Sequence, residues 1–183
     1  TNECAAMLDL LARMDLKGTL VTIDAIATNP TVAQAILDAG GDYVLALKKN
    51  QAALHAEVAT YFDDADEDEL ETVEMTEKDH GRLEQRRYSV SYNVDWVSGA
   101  RRHPDEPRLP ELACLIKTTT RSETKGKVTQ ETRYFVSSRK LSAEQAGTAI
   151  RSHWGIESLH WILDVTFKED LSRLRRGNGA QNM

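Results

Sequence analysis

The spacing of apolar residues along the chain changes character several times, and each change predicts an element. Met7, Leu8, Leu10, Leu11 and Met14 recur at helical steps, and Lys17-Gly18 follows as a stop, so residues 2–15 read as a helix ending near Leu16. Leu20-Val21-Thr22-Ile23-Asp24-Ala25 is mostly apolar and β-branched, the composition of a strand buried on both faces in a parallel sheet. A turn at Thr28-Asn29-Pro30 precedes a helix with Val32, Ile36 and Leu37 on one side and Gly40-Gly41 at its end. Asp42 to Lys48 then reads as a second buried strand. Strand, helix and strand at this spacing form a βαβ unit with a right-handed crossover. Its two strands lie parallel, with Asp24 and Lys48 near their C-terminal ends, and a third helix is predicted from about Gln51 to Phe62.

Past Leu70 the period shortens to two. Arg82, Glu84 and Arg86 alternate with Leu83, Gln85 and Arg87, and Tyr88, Val90 and Tyr92 continue the alternation, which predicts a long strand from about Gly81 to Trp96. Pro104, Pro107 and Pro110 mark Arg101 to Pro110 as a loop. Leu112 to Ser122 and Val128 to Ser138 read as a hairpin about Thr124-Lys125-Gly126. Ser142, with Gln145 three residues on, is a capping-box signature for a helix to about Ser152. In the stretch Arg151 to Asp170, residues Ile150, Trp154, Leu159, Ile162, Leu163 and Phe167 recur at three- and four-residue steps. They predict a helix packing one face on a core, with Glu157 beside that face. The resulting organisation is α/β with an α+β insertion: a βαβ part over residues 1–62, an acidic loop and antiparallel β insertion over 63–140, and C-terminal helices over 141–183.

Composition narrows the class. A chain of 183 residues, 40% hydrophobic and 28% charged, with 10 Gly and 4 Pro, suits one globular unit with a real core rather than a disordered or fibrous protein. Cys4 and Cys114 have no metal-ligand spacing and read as two small buried hydrophobes in a reduced, cytoplasmic setting. The longest strongly apolar run, Tyr43 to Leu47, is too short to span a bilayer. Net charge is −6, which counts against a nucleic-acid partner until its distribution is considered. Residues 63–79 hold ten acids against Lys78 alone, read as a solvated acidic loop. The remainder carries +3, compatible with phosphate binding, since affinity follows the local patch. The chain begins at Thr1 and stops at Met183 after a polar run, the expected look of a fragment of a longer protein.

Two carboxylates stand out as candidate chemistry. Asp24 closes a strand at the end where open α/β sheets place their ligand sites, although it could equally cap the turn that follows. Glu157 beside an apolar helix face is costly unless something binds it. His153 and His160 could be metal ligands, but no spacing supports zinc, which favours packing or a phosphate contact for His153. Trp154 and Trp161 read as core rather than as base-stacking platforms. Arg82 and Arg86 share a strand face that could track a DNA backbone or simply be solvated. Lys48 and the cluster Arg173, Arg175 and Arg176 are better placed for phosphates.

The run His153-Trp154-Gly155-Ile156-Glu157, followed by Leu159-His160-Trp161, Asp164, Glu169-Asp170, Arg173, Arg175 and Asn178, resembles the C-terminal signature of bacterial insertion-sequence transposases of the Asp-Asp-Glu superfamily, in the H-repeat-associated branch. Thr22-Ile23-Asp24-Ala25, Gly41 to Lys48 with Asn50-Gln51, and Asp79 to Glu84 resemble the same family, so the similarity covers essentially the whole chain. It implies a partial ribonuclease-H-like fold with a β-rich insertion before the last acid. It also implies that Asp24 and Glu157 are the second and third members of a catalytic triad that binds two Mg²⁺ or Mn²⁺ ions. In such a site the metals activate a water or 3′-hydroxyl and stabilise the leaving oxygen. The implied function is DNA transposition, the cutting and joining of transposon ends and target DNA by a homo-oligomer. The family's first Asp lies upstream of Thr1, so this chain alone is expected to bind metal poorly and to be inactive, and the strand at residues 20–25 is expected to have an open edge. A nuclease on the same fold, or a remnant that binds DNA or a protein without chemistry, are the alternatives.

Overall fold

The computed structural model describes residues 3–23, 28–48, 51–79, 82–98 and 108–167. The chain divides into two compact units, Thr1–Ile150 and Arg151–Met183. In the first, helix α1 (Glu3–Leu11), strand β1 (Leu20–Ile23), α2 (Pro30–Asp38), β2 (Asp42–Leu47) and α3 (Ala52–Asp64) follow in order. A 3₁₀ turn (Glu67–Glu69) leads into β3 (Glu71–Asp79), β4 (Arg82–Ser91), the short α4 (Asp95–Ser98), β5 (Cys114–Thr124) and β6 (Lys127–Ser137). Helix α5 (Ala143–His153) then starts the C-terminal run. The strands form one six-stranded sheet in the order β1-β2-β6-β5-β4-β3. Only β1 and β2 are parallel; β2 and β6, and every pair beyond them, are antiparallel.

Alternation along β2 fixes the layers. Tyr43, Leu45 and Leu47 join a core with Leu11 of α1, Val32, Ala33 and Ile36 of α2, and Leu54, Val58 and Phe62 of α3. Val44, between them in sequence, belongs to a second core with Tyr88, Val90, Cys114 and Ile116 and with Ala143, Ala146 and Ile150 of α5. Successive strand residues face opposite sides, so α1, α2 and α3 cover one face and α5 covers the other. On that second face α5 comes very close: a Cβ on Gly147 would meet the Tyr88 ring at 2.9 Å.

Local chemistry explains the boundaries. Asn29 caps α2 by accepting the Val32 N–H at 2.9 Å, with Pro30 opening the helix. At its other end Gly40 (φ +83°) donates to Leu37 and Gly41 donates to Ile36, the paired bonds of a Schellman stop. The Ser142–Gln145 capping box forms in full: Gln145 N donates to Ser142 Oγ at 3.1 Å and Ser142 N donates to Gln145 Oε1 at 3.0 Å. The β5–β6 hairpin turns on Lys125 (φ 50°) and Gly126 (φ 78°), so both central residues are left-handed, as in a type I′ turn.

Several expectations are corrected. The acidic run is not all loop, since residues 71–79 form a strand paired with residues 82–90 of β4. Val73 and Met75 reach the α5-side core between the acids, and cations of β4 hold part of the charge: Arg87 lies 3.0 Å from Glu67 in the 3₁₀ turn, and Arg86 2.9 Å from Glu77 across the strand pair. The strand expected to reach Trp96 ends at Ser91. Ser91 Oγ accepts the Asn93 N–H at 3.2 Å as the chain turns into α4, where Trp96 stacks on Tyr61. Helix α1 stops at Leu11 rather than near Leu16. Strand β1 is half-buried at the sheet edge rather than buried on both sides. The antiparallel strands continue the sheet begun by β1 and β2, with β6 pairing directly with β2.

The second unit departs furthest from expectation. The helix expected from Arg151 to Asp170 is broken at Trp154, resumes as α6 (Gly155–Trp161) and ends in a π turn (Ile162–Thr166). Ile150 is buried in the first unit, but Trp154, Ile156, Leu159, Trp161, Ile162, Val165 and Phe167 are exposed. Trp154 and Trp161 are therefore not core residues. Among the described residues no helix is long and apolar enough to cross a membrane.

Candidate functional site

The parallel pair β1 and β2 supplies the frame for Asp24. Leu20 pairs with Asp42 and Ile23 with Leu45, so the two strands run in step, and β2 continues two residues past the end of β1, to Leu47. Asp24 is the next residue after β1; it lies outside the described residues. Lys48, exposed, directly follows β2. Crossover connections put ligand sites at this end of parallel strands.

Two side chains tie the segments that leave these strand ends. The Thr28 hydroxyl donates to the Ala46 carbonyl at 2.8 Å, one residue beyond Leu45, and Thr28 is 1% exposed. Gln51 Nε2 donates to the Thr28 carbonyl at 2.9 Å, and Gln51 N donates to the Lys48 carbonyl at 2.9 Å. The sequence offered only a faint sign of this link: Thr28 reads as an ordinary turn residue, and Gln51 stood out only through the family resemblance.

The other predicted residues are scattered. Glu157 lies in the middle of α6, and its side chain is outside the described residues. His153 closes α5 and meets the Trp154 ring edge-on, at 6.2 Å between centroids. Arg82 opens β4 opposite Asp79 and Thr124; its side chain is likewise undescribed. Arg86, on the same strand, donates to Glu77 and to Glu84, and its side chain is only 11% exposed. Its charge is thus committed to two carboxylates. Arg173, Arg175 and Arg176 fall outside the described residues. Cys114 is buried, which pushes its thiol pKa up; this fits the small buried hydrophobe expected from sequence, while the side chain of Cys4 is undescribed.

Whether this chain suits a divalent metal rests on donor chemistry and position. No group of three or more His, Cys, Asp or Glu side chains that could hold a metal occurs among the described residues. Asp24 and Glu157 are carboxylates, the hard oxygen donors that Mg²⁺ and Mn²⁺ take. In donor type the two residues fit such a group; the side chains of both lie outside the described residues.

Comparison with known proteins agrees on the family. The model of the transposase DDE domain matches residues 1–183. A protein named "Putative transposase YncI" from Escherichia coli O157:H7 is 35% identical over 99% of this chain and 47% of its own length. "H repeat-associated putative transposase YhhI" from Escherichia coli K12 is 33% identical over 99% of the chain and 48% of its own length. An uncharacterised protein from the region 3′ of dhlA in Xanthobacter autotrophicus is 42% identical over 75% of the chain and 45% of its own length. The chain spans about half the length of these curated relatives. No solved structure matches it significantly. With a family model covering every residue and H-repeat-associated transposases among its relatives, this chain belongs to the transposase DDE domain family.

Proposed function

We propose that the chain is part of the catalytic core of a DNA transposase with a ribonuclease-H-like fold, in which Asp24 and Glu157 are metal-binding carboxylates. The observation that carries the reading is the position of Asp24, next after an in-step parallel pair of strands, in a chain whose whole length matches the transposase DDE domain. When bound, Mg²⁺ or Mn²⁺ supplies Lewis-acid stabilisation of the phosphodiester under attack and lowers the pKa of the attacking hydroxyl or water.

The chain's own residues hold and orient. Asp24 and Glu157 present carboxylate oxygens; Lys48, following β2, faces the DNA backbone as a phosphate contact. His153, Arg173, Arg175 and Arg176 bring further positive charge or donors to the DNA from the C-terminal segment. Arg82 is the candidate contact on β4. Arg86 acts there mainly by neutralising Glu77 and Glu84, which would otherwise repel a phosphate. The DNA partners are transposon ends and target, and the working form is a homo-oligomer.

The test is a cleavage and joining assay with the full-length protein on a duplex carrying the element's ends, in Mg²⁺. Asp24→Asn and Glu157→Gln each lower both steps at least about 10³-fold while DNA binding persists. Wild-type rates in either variant overturn the assignment of that residue. Cleavage without joining by the wild-type protein identifies a nuclease instead.

A further inference from the structure

We propose that the projecting part of the β5–β6 hairpin, with Lys125 and Lys127 at its tip, is a docking surface for the DNA duplex that flanks the reacting phosphate, an inference that rests on the reading of the chain as part of a DNA transposase. The register of the sheet carries it. Leu47, the last residue of β2, pairs with Tyr134, and β6 extends from Tyr134 back to Lys127, seven residues further along the direction in which β2 runs. At the ordinary strand rise this is about 23 Å, the length of about seven base pairs. The hairpin therefore projects from the end of the sheet where β2 stops and Lys48 follows.

Three features of the projection suit a phosphate backbone. Among the described residues β6 pairs past Tyr134 with β5 alone, so the side of β6 nearest β2 is an open edge, and backbone N–H groups are ordinary phosphate donors. Residues 127–132 on that edge are all exposed. Charge is the second feature. Residues 82–88 and 118–133, the projecting parts of β4, β5 and β6, hold seven Arg or Lys against three Glu, in a chain of net charge −6. The third is where the uncommitted charge lies. Arg86 and Arg87 face Glu77 and Glu67, Arg133 is paired with Glu131 at 2.8 Å, and Arg121 lies 3.9 Å from Glu123. Among the described residues Lys125 and Lys127 have no carboxylate partner, and both are exposed. Free positive charge thus gathers at the tip, separated by β4 from the acids of β3.

The turn supplies a selective variant. Lys125 adopts φ 50°, a conformation that Asn takes readily, so Lys125→Asn removes a charge and keeps the hairpin, and Lys127→Gln removes the second. The measurement is the affinity of the full-length protein for fluorescent duplexes carrying the element's end, read by anisotropy over a range of salt, alongside thermal unfolding. One duplex extends more than about ten base pairs to each side of the reacting phosphate, past the reach of the hairpin; the other, closed by a loop to stay paired, stops at about four. The double variant Lys125→Asn, Lys127→Gln is expected to bind the long duplex at least about tenfold more weakly at about 0.1 M salt. Its slope of log affinity against log salt shrinks by about 1.8, two phosphate contacts at about 0.9 each. It is expected to bind the short duplex as wild type and to unfold no earlier, and Lys125→Arg with Lys127→Arg to bind both as wild type. Unchanged affinity and slope on the long duplex overturn the docking surface and leave the proposed function standing. An equal loss on both duplexes also overturns it, since the lysines would then act through the fold or at the reacting end. A wild-type protein that binds neither duplex overturns the proposed function, and the docking surface with it.

Discussion

The Glu71 carboxylate accepts the Ala143 backbone N–H at 2.9 Å, so the first residue of edge strand β3 satisfies an open amide at the start of α5. Its other oxygen accepts the Tyr92 hydroxyl at 2.6 Å. These two bonds, Tyr92 first, hold the Glu71 carboxyl below its ordinary value of 4.5. Burial and the neighbouring carboxylate push Tyr92 up to about 12, so its hydroxyl stays a donor across the neutral range.

A pH-dependent contribution to stability follows. A depressed carboxyl pKa stabilises the fold above about pH 4.5, and the gain is lost as pH falls through the folded-state value. Because Glu71 is exposed, solvent screens the effect, and Glu71→Ala is expected to cost about 1 kcal/mol at pH 7. Urea unfolding of both proteins from pH 7 downward checks this: the difference shrinks in acid. A pH-independent difference would mean that the carboxylate's charge is not what the two donors recognise.

Gly147 leaves no room for a side chain. Its absent Cβ would sit 2.9 Å from Cε2 of Tyr88, a ring that is 1% exposed. An alanine in mid-helix would ordinarily gain up to about 1 kcal/mol over glycine. Here the clash is expected to outweigh it, and Gly147→Ala to lose about 1–3 kcal/mol through overpacking. Chemical denaturation reads the sign directly, and a stabilised variant would show that α5 can lift from the sheet at no cost.

The hairpin turn is improvable. Lys125 adopts φ 50°, a conformation that is costly for a residue carrying a Cβ, while Gly126 adopts φ 78° freely. Lys125→Asn is expected to raise stability by about 0.5 kcal/mol, and Gly126→Ala to lower it by about 1 kcal/mol. Thermal unfolding of the pair is the check, with opposite shifts as the expected outcome.

These features also show where sequence is informative. Strand β2, the cap and stop of α2, the capping box of α5 and the β5–β6 hairpin were legible because each depends on neighbours in sequence. Strand β3 was not, because ten acids in seventeen residues mask the alternation of Val73 and Met75. Their burial depends on α5, some seventy residues away, and on the cations of β4. The end of β4 turns on one serine hydroxyl, which no periodicity records. The apolar positions after Ile150 do repeat at helical spacing, yet spacing gives no account of what covers them. At the candidate site, Asp24 and Glu157 stood out as costly or well-placed carboxylates, but their pairing as metal ligands came from the family resemblance. The Thr28–Gln51 link joins two loops that only the fold brings together.

The most direct test of the metal-binding reading is a crystal structure of the full-length protein soaked with Mn²⁺, with anomalous scattering used to place the metal. The account predicts an anomalous peak with carboxylate oxygens of both Asp24 and Glu157 within about 2.5 Å of a Mn²⁺ ion or of an adjacent pair of ions. A well-ordered structure with the two carboxylates on opposite sides of the sheet, or Mn²⁺ bound by neither, would contradict it.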